Sequence, residues 1–411
     1  MDFIDKELLS KVLERVRRRF ETWDNLDDEQ ALIIIEEELF SLDEAENLSI
    51  EELQWLSRKV FYKTRKKLGV LTPYLEDKRV TEIMVNGPRC IFAEVDGEIR
   101  KVKDSFDGTE ELEEVMQTIA SGVHREINEL NPIVDARLED GSRVNGVYKN
   151  IAVGGPILTI RKFSEGYMKL ADLVGNGTVS REGAMLLEAL VACRYNIFVS
   201  GGTSSGKTTL LNALSQFIPS EERVIVIEDS TELKLSAVEN LVQLECRQGN
   251  MEGRGMVTMA QLIKTSLRMR PDRIIVGEVR GAEVLDMLQA MNTGHAGSMS
   301  TGHGNSIRGM LRRLEAMYLM AMPLNIEAIR RQIAEGIEIM VHIEKINGKR
   351  IITEICELTG YDGDNFVLNT LMERDQSNCL KVTGNFIENK GKLMRGEKKY
   401  IDELQGIGIV N

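Results

Sequence analysis

Eight consecutive residues, Gly201-Gly202-Thr203-Ser204-Ser205-Gly206-Lys207-Thr208, match the pattern G-x-x-x-x-G-K-[ST]. A loop of this kind handles phosphate. Its glycines let the backbone curl around an anion, and its N–H groups and the helix that follows bind the oxygens. In that pattern Lys207 is a point charge for the β- and γ-phosphates, the Thr208 hydroxyl is a ligand for Mg²⁺, and Thr209 continues the helix start. The predicted ligand is a nucleoside triphosphate. Two sets of carboxylates stand further along: Val224-Ile225-Val226-Ile227 runs into Glu228-Asp229, and Ile274-Ile275-Val276 runs through Gly277 into Glu278. Strand C-terminal ends line the ligand crevice of an open α/β sheet, so both sets are expected near Lys207 and Thr208. Phosphoryl transfer to water uses one carboxylate near the metal and another to orient or deprotonate the water. His295 and His303 lie in the glycine-rich stretch 291–305 with no Cys or Asp at ligand spacing. A neutral imidazole donating to the γ-phosphate is a better reading of that stretch than a metal pair.

Those residues need elements to hold them. A strand over Asn196 to Ser200 should lead into the phosphate loop and a helix over Thr208 to Phe217 should follow. Short apolar runs separated by helix-length segments, from 181 to about 360, predict a mostly parallel α/β sheet. Before it, Thr81 to Val85 and Ile91 to Val95 flank Asn86-Gly87-Pro88, and Ala136 to Val147 alternates about Asp140-Gly141, as hairpins do. With a helix pattern over roughly 109–129, residues 70–163 read as an α+β domain. Gly175-Asn176-Gly177 marks a linker at 164–180. Residues 1–68 read as a helical bundle, since Phe3, Leu8, Leu9, Val12, Val16 and Phe20 recur at helical spacing, as do Leu53, Leu56, Val60 and Phe61. Ser49 before Glu51-Glu52 is a helix-start signal. The stretch 21–57 carries 13 acids and no Lys or Arg, which suits a solvated face or a docking module. The phosphate-loop domain is taken as 181–411, with strands near its end and a polar tail of no assigned role. A basic patch (Arg308, Arg312, Arg313, Arg330, Arg331) is also left without one.

Composition narrows the class. The 411 residues include 52 Lys+Arg and 65 Asp+Glu, a net charge of −13, and 5% aromatics. This supplies neither a basic channel nor a stacking platform for nucleic acid. No apolar run approaches the ~18 residues of a membrane span, and Met1 to Glu7 is too charged for a signal peptide. Five scattered cysteines without a Cys-x-x-Cys pair argue against a disulfide framework or zinc site and for a reducing cytosol.

The phosphate loop, Glu228-Asp229-Ser230-Thr231-Glu232-Leu233, the run from Arg270 to Arg280 and the His303 segment occur in this order. Together they resemble the Walker A, Asp box, Walker B and His box of the type II/type IV secretion ATPases. The run from Ser266 to His295 is most similar to the CpaF-type branch, which powers tight-adherence (Flp-type) pilus assembly. The similarity reaches back through 80–87 and 138–145 and covers about 70–360.

This resemblance implies a RecA-like P-loop ATPase domain, an α+β N-terminal domain that moves against it, ATP and Mg²⁺, and a hexameric ring. It makes Glu278 the candidate catalytic base, Glu228 a holder of Mg²⁺ or its water, and His303 the sensor of the γ-phosphate. Arg137, Arg143 and Arg161 become candidate arginine fingers, and Arg280 a residue for a subunit boundary. It further implies integral membrane platform partners and a cytoplasmic location peripheral to the cytoplasmic membrane of a prokaryote; that no nucleic acid is expected rests on the charge and the few aromatics. The sequence departs from the family where relatives usually carry glycine at Ser204, and where Gly302 and Gly304 flank His303. Two other classes compete: a RecA-like nucleic-acid-transfer ATPase, and a non-catalytic scaffold that uses ATP only to close a ring.

Overall fold

The computed structural model describes residues 6–21, 26–163, 168–247, 249, 254–363, 365–375 and 379–411. It divides into two compact units, Met1–Glu165 and Gly166–Asn411.

In the first unit the predicted bundle consists of helices Lys6–Phe20, Asp28–Phe40 and Ile50–Arg65. Asp27 and Ser49 cap the second and third through reciprocal capping boxes, which satisfy backbone N–H groups that a helix start leaves unpaired. Val12, Val16, Ile35, Leu39, Leu56 and Val60 form their shared core. Phe3 lies outside the described residues. The α+β part carries strands β1 (Val80–Asn86), β2 (Ile91–Val95), β3 (Glu98–Lys101), β4 (Ile133–Arg137), β5 (Arg143–Val147) and β6 (Ile157–Arg161). They form one antiparallel sheet in the order β3-β2-β1-β6-β5-β4. Alternate residues of its strands (Ile83, Val85, Val144, Leu158, Ile160) bury against Leu112, Met116 and Ile119 of helix Thr109–Gly122. Lys63 of the bundle bonds Asp107 and reaches Glu111 at 2.7 Å. Although the bundle has its own core, it thus belongs to the same compact unit as the sheet.

The second unit is built on β7 (Ile197–Gly201), β8 (Val224–Glu228), β9 (Leu241–Glu245), β10 (Arg273–Val279), β11 (Met299–His303), β12 (Ile339–Ile346), β13 (Lys349–Tyr361), β14 (Phe366–Arg374) and β15 (Leu380–Val382). Their order is β15-β14-β13-β12-β7-β11-β10-β8-β9. The six strands from β12 to β9 pair in parallel, and β13 to β15 extend the sheet as an antiparallel meander. Every residue of β7 and β8 is buried, as a parallel sheet covered on both faces requires. Alternation along the strands divides the interior. Ile197, Val199, Val224 and Val226 enter one core with Leu187, Leu210 and Leu214. Phe198, Ile225, Ile227 and Ile274 enter the other with Leu288, Leu311 and Ile333.

Two predicted boundaries differ. Residues 164–167 of the expected linker lie outside the described residues. The remainder contains helix Leu170–Gly175, whose Leu170 and Leu173, with Val179 beyond, belong to the first of those cores. The tail is not a polar appendage either. Helix Lys398–Gly406 supplies Tyr400 and Leu404, and Ile387, Leu393, Ile409 and Val410 join them in the same core. The Tyr195 hydroxyl donates to the Asn389 carbonyl, tying the tail to a residue two positions before the phosphate-loop strand.

Candidate nucleotide site

The phosphate loop connects β7 to helix Lys207–Ser215, close to the predicted strand and helix. A Cβ on Gly201 would stand 2.2 Å from the Ile343 carbonyl oxygen and 2.6 Å from Ser205 Oγ, so only glycine fits there. Gly206 has φ 99°, a conformation natural to glycine. Among the described residues the Ser205 hydroxyl, 1% exposed, has no hydrogen-bond partner. A cradle without side-chain bulk at Gly201, an orphaned hydroxyl at Ser205 and the helix start at Lys207 fit a bound phosphate chain. Gly202, Thr203 and Ser204 form its outer rim, Thr203 and Ser204 exposed, while Thr208 and Thr209 are half-buried in the first helical turn.

Strand register brings the distant candidates to this loop. His303, the last residue of β11, pairs with Gly201, the last of β7. Beside it, β10 carries a bulge: Val276 pairs with Ser300 and Val279 with Gly302, so Gly277 and Glu278 stand opposite one residue, Thr301. A bulge of this kind re-aims a side chain, and here it presents Glu278. The result is a linear chain of polar contacts. Lys207 Nζ lies 3.4 Å from His303 Nδ1, His303 Nε2 lies 3.1 Å from Glu278 Oε1, and Arg280 Nε donates to the same oxygen at 2.6 Å. The Arg280 guanidinium also reaches Asp229 at 3.8 Å. Lys207 Nζ donates to the Gly201 and Gly202 carbonyls at 3.3 and 2.8 Å.

Electrostatics follow from this chain. Burial pushes the His303 imidazolium toward neutrality and the Lys207 ammonium adds to that, against a smaller opposing pull from Glu278. A neutral ring with its proton on Nε2 can donate to Glu278 and offer Nδ1 to Lys207, so this tautomer fits both neighbours. Burial by itself raises the Glu278 carboxyl. The Arg280 hydrogen bond and charge, with His303 and Lys207, outweigh it and hold the group below the usual carboxylate range. Glu278 is therefore ionised at neutral pH.

The other candidates have surroundings of their own. Glu228, 5% exposed at the end of β8, accepts hydrogen bonds from the Glu232 and Leu233 amides at 3.0 and 3.1 Å. Through these two amides its carboxylate pins the Asp-box turn. Gly277 makes room for it, since a Cβ there would approach Glu228 Cγ to 2.8 Å. The His295 ring lies 3.1 Å from the Ala290 carbonyl, at the end of the helix that precedes it. In the first unit, Arg137 pairs with Arg143 and Arg143 with Arg161 across β4, β5 and β6. The three candidate fingers thus form one row on the sheet face opposite the buried Val144 and Ile160. In the basic patch, Arg330 is held by Glu315 at 2.7 Å and the Tyr361 hydroxyl at 3.1 Å, and Arg331 by Glu327 at 2.7 Å.

Sequence reasoning missed a cavity of about 190 Å³ beside the loop. Leu173, Asn176, Thr178, Thr209, Lys349 and Arg350 are among its walls. Its residues come from three separated segments; Asn176 and Thr209 lie in stretches singled out above, and the signal passed over was Asn347-Gly348, a turn dipeptide between β12 and β13.

The family model described as Type II/IV secretion system protein matches residues 64–397. The chain belongs to this family. As a member it is an ATPase of the secretion class, with the RecA-like domain and preceding N-terminal domain that the fold displays. The match runs through β15 into the tail, beyond the limit near 360 that the motifs alone suggested. The conjugal transfer protein TrbB of Rhizobium radiobacter is 34% identical over 296 residues, 71% of this chain and 88% of that protein. The type IV secretion system protein VirB11 of Bartonella henselae is 29% identical over 329 residues, 70% of this chain and 91% of its own. Among solved structures, the pilus retraction motor PilT with bound ADP superposes with a TM-score of 0.53 at 22% identity, covering 82% of this chain and 89% of that one. The Legionella pneumophila ATPase DotB gives 0.51 at 21%, covering 70% and 79%. These two likenesses concern the fold. Among the described residues no helix of this secretion-family ATPase is long and apolar enough to cross a membrane.

Proposed function

We propose that this ATPase is a CpaF-type motor which, as a hexamer, spends ATP to drive pilus assembly or protein secretion through an inner-membrane platform. The observation that carries the reading is the contact chain Lys207–His303–Glu278, with His303 and Glu278 at the ends of adjacent parallel strands and Lys207 at the start of the helix that follows the third. It sets a phosphate-binding cation, a neutral imidazole and an ionised carboxylate in line. Lys207 would leave its loop carbonyls for the β- and γ-phosphates. Glu278, ionised and held by Arg280, would accept a hydrogen bond from the attacking water and orient it, which suits its low proton affinity better than full deprotonation. His303 can exchange its Glu278 contact for a γ-phosphate oxygen and so report phosphate to the base. Mg²⁺, when bound, neutralises charge on the phosphate oxygens. The Thr208 hydroxyl, with Glu228 acting through water, would hold it. The base would enter the cavity at Leu173 and Thr178. Arg137, Arg143 and Arg161 would supply charge to the transferring phosphoryl group. The location proposed is the cytoplasmic side of a prokaryotic membrane.

The similarity to TrbB favours a second reading, a motor of a DNA-transfer apparatus. One experiment addresses both: ATP hydrolysis by the purified chain against its own concentration, beside Glu278→Gln, with and without single-stranded DNA. Specific activity should rise with concentration, the substitution should lower turnover by about 10²–10⁴-fold, and DNA should change nothing. A flat concentration profile would defeat the ring, full activity in Glu278→Gln would defeat the role of Glu278, and stimulation by DNA would favour the second reading.

A further inference from the structure

Ser204 sits in the phosphate loop with φ 56°, in the left-handed region that a side chain disfavours by about tenfold relative to glycine. A neighbouring hairpin reaches across to it. The hairpin joins β12 to β13 through Asn347 (φ 49°) and Gly348 (φ 80°), with Ile346 paired to Lys349 and Lys345 to Arg350. Two central residues at positive φ give the tight turn that matches strand twist, so the position of Arg350 is well determined. The hairpin is anchored to the loop's own strand, since β12 pairs with β7 through to Ile343 opposite Gly201. From there Arg350 Nε donates to the Ser204 carbonyl at 3.1 Å. Its Cδ lies 3.1 Å from where a Cβ on Gly206 would stand, so the side chain runs along the loop from Ser204 to Gly206.

We propose that Arg350 is a positioning residue: it braces the phosphate loop from the β12–β13 hairpin and holds Ser204 in the left-handed conformation that the loop needs to bind nucleotide. The brace makes a non-glycine residue tolerable at that position. It acts through the backbone of Ser204, using a fixed donor, so the direction of the Nε–H matters more than the charge. The proposal rests on the nucleotide reading of the loop.

The test is a double-mutant cycle on the full chain, with MgADP affinity read by equilibrium titration. Thermal unfolding without nucleotide confirms that each variant is folded. Arg350→Ala should weaken MgADP binding about tenfold, but by no more than about twofold when made together with Ser204→Gly and compared with Ser204→Gly alone. Arg350→Lys, which keeps the charge and loses the Nε donor, should behave as Arg350→Ala does, and it serves in its place should the alanine variant not fold. Equal losses in both backgrounds would mean that Arg350 touches the nucleotide directly and would overturn the brace, as would no loss in either. No MgADP binding by the unsubstituted chain would overturn the nucleotide reading itself and the brace with it.

Discussion

Arg273 opens β10 at the end of the strand remote from Glu278, and its side chain is fully buried. Its guanidinium bonds Glu222 and donates to the Val191 carbonyl at 2.8 Å. Arg273→Met would keep most of the volume and remove the charge, leaving Glu222, 6% exposed, with Arg194 at 2.9 Å as its remaining cation. Removing one partner of a buried pair costs about 3–5 kcal/mol because the other charge is left uncompensated. Arg194 is partly solvent-exposed and offsets some of that, so the lower end applies, about 3 kcal/mol. For a unit of this size the loss corresponds to a Tm lower by about 6–12 °C. Calorimetry at neutral pH would measure it, and the double variant Arg273→Met/Glu222→Met should recover most of the loss, since an apolar pair of similar volume replaces an ionic one at little cost. A single-variant shift under about 2 °C, or a double variant as unstable as the single, would refute the reasoning.

Further outcomes follow from the site and the tail. The folded-state pKa of His303 lies below its ordinary value, so between the two the unfolded chain binds more protons; stability should fall as pH drops below about 6.5, hydrolysis should fall only at the lower pH where the folded-state ring takes up its proton, and His303→Gln should remove both parts of the pH dependence. Gly277→Ala forces a Cβ against Glu228 Cγ and should destabilise the chain by about 1–3 kcal/mol in denaturant titration, with turnover lowered more than ADP affinity. Leu404→Ala truncates a fully buried tail residue and should cost about 2–5 kcal/mol in the same assay; no change would make the tail dispensable to the core.

The local chemistry of the site was readable because it is carried by contiguous residues. A strand, eight loop residues and a helix announce the phosphate loop, and apolar runs that end in Glu228 and Glu278 announce the carboxylates. How those carboxylates are held was not readable. Glu228 turns to the amides of Glu232 and Leu233 because the chain folds back on itself after β8. Glu278 is aimed by a bulge that depends on its pairing with β11. Neither the turn nor the register leaves a periodic trace. The tail misled for a related reason: Tyr400, Leu404, Ile409 and Val410 are sparse among charged residues, and only the core that receives them reveals a buried face. Arg350 and the cavity beside it arise from segments far apart in the chain, which no local pattern joins.

The arginines of the first unit show where residue choice and register together say more than either does. Arg137, Arg143 and Arg161 stand directly opposite one another on three neighbouring strands. Like charges in such cross-strand pairs cost stability, about 0.2–1 kcal/mol for each pair, and Glu82, opposite Arg161 on β1, offsets that at one end of the row. A row of cations on a sheet face fits an anionic partner, and the function proposed above takes that partner to be the transferring phosphate. If the row acts on the transition state, Arg143→Gln, in the middle of it, should lower kcat at least about tenfold, short of the 10³–10⁵ of a lone arginine finger because two neighbours remain. ADP affinity should stay within about threefold, since uniform binding is not what such an arginine supplies. Steady-state hydrolysis and ADP titration on the same preparation separate the two. A loss confined to KM would assign the row to ground-state binding. Unchanged kinetics in Arg143→Gln and in the triple variant would remove the arginines from the chemistry and leave the row to an acidic protein partner.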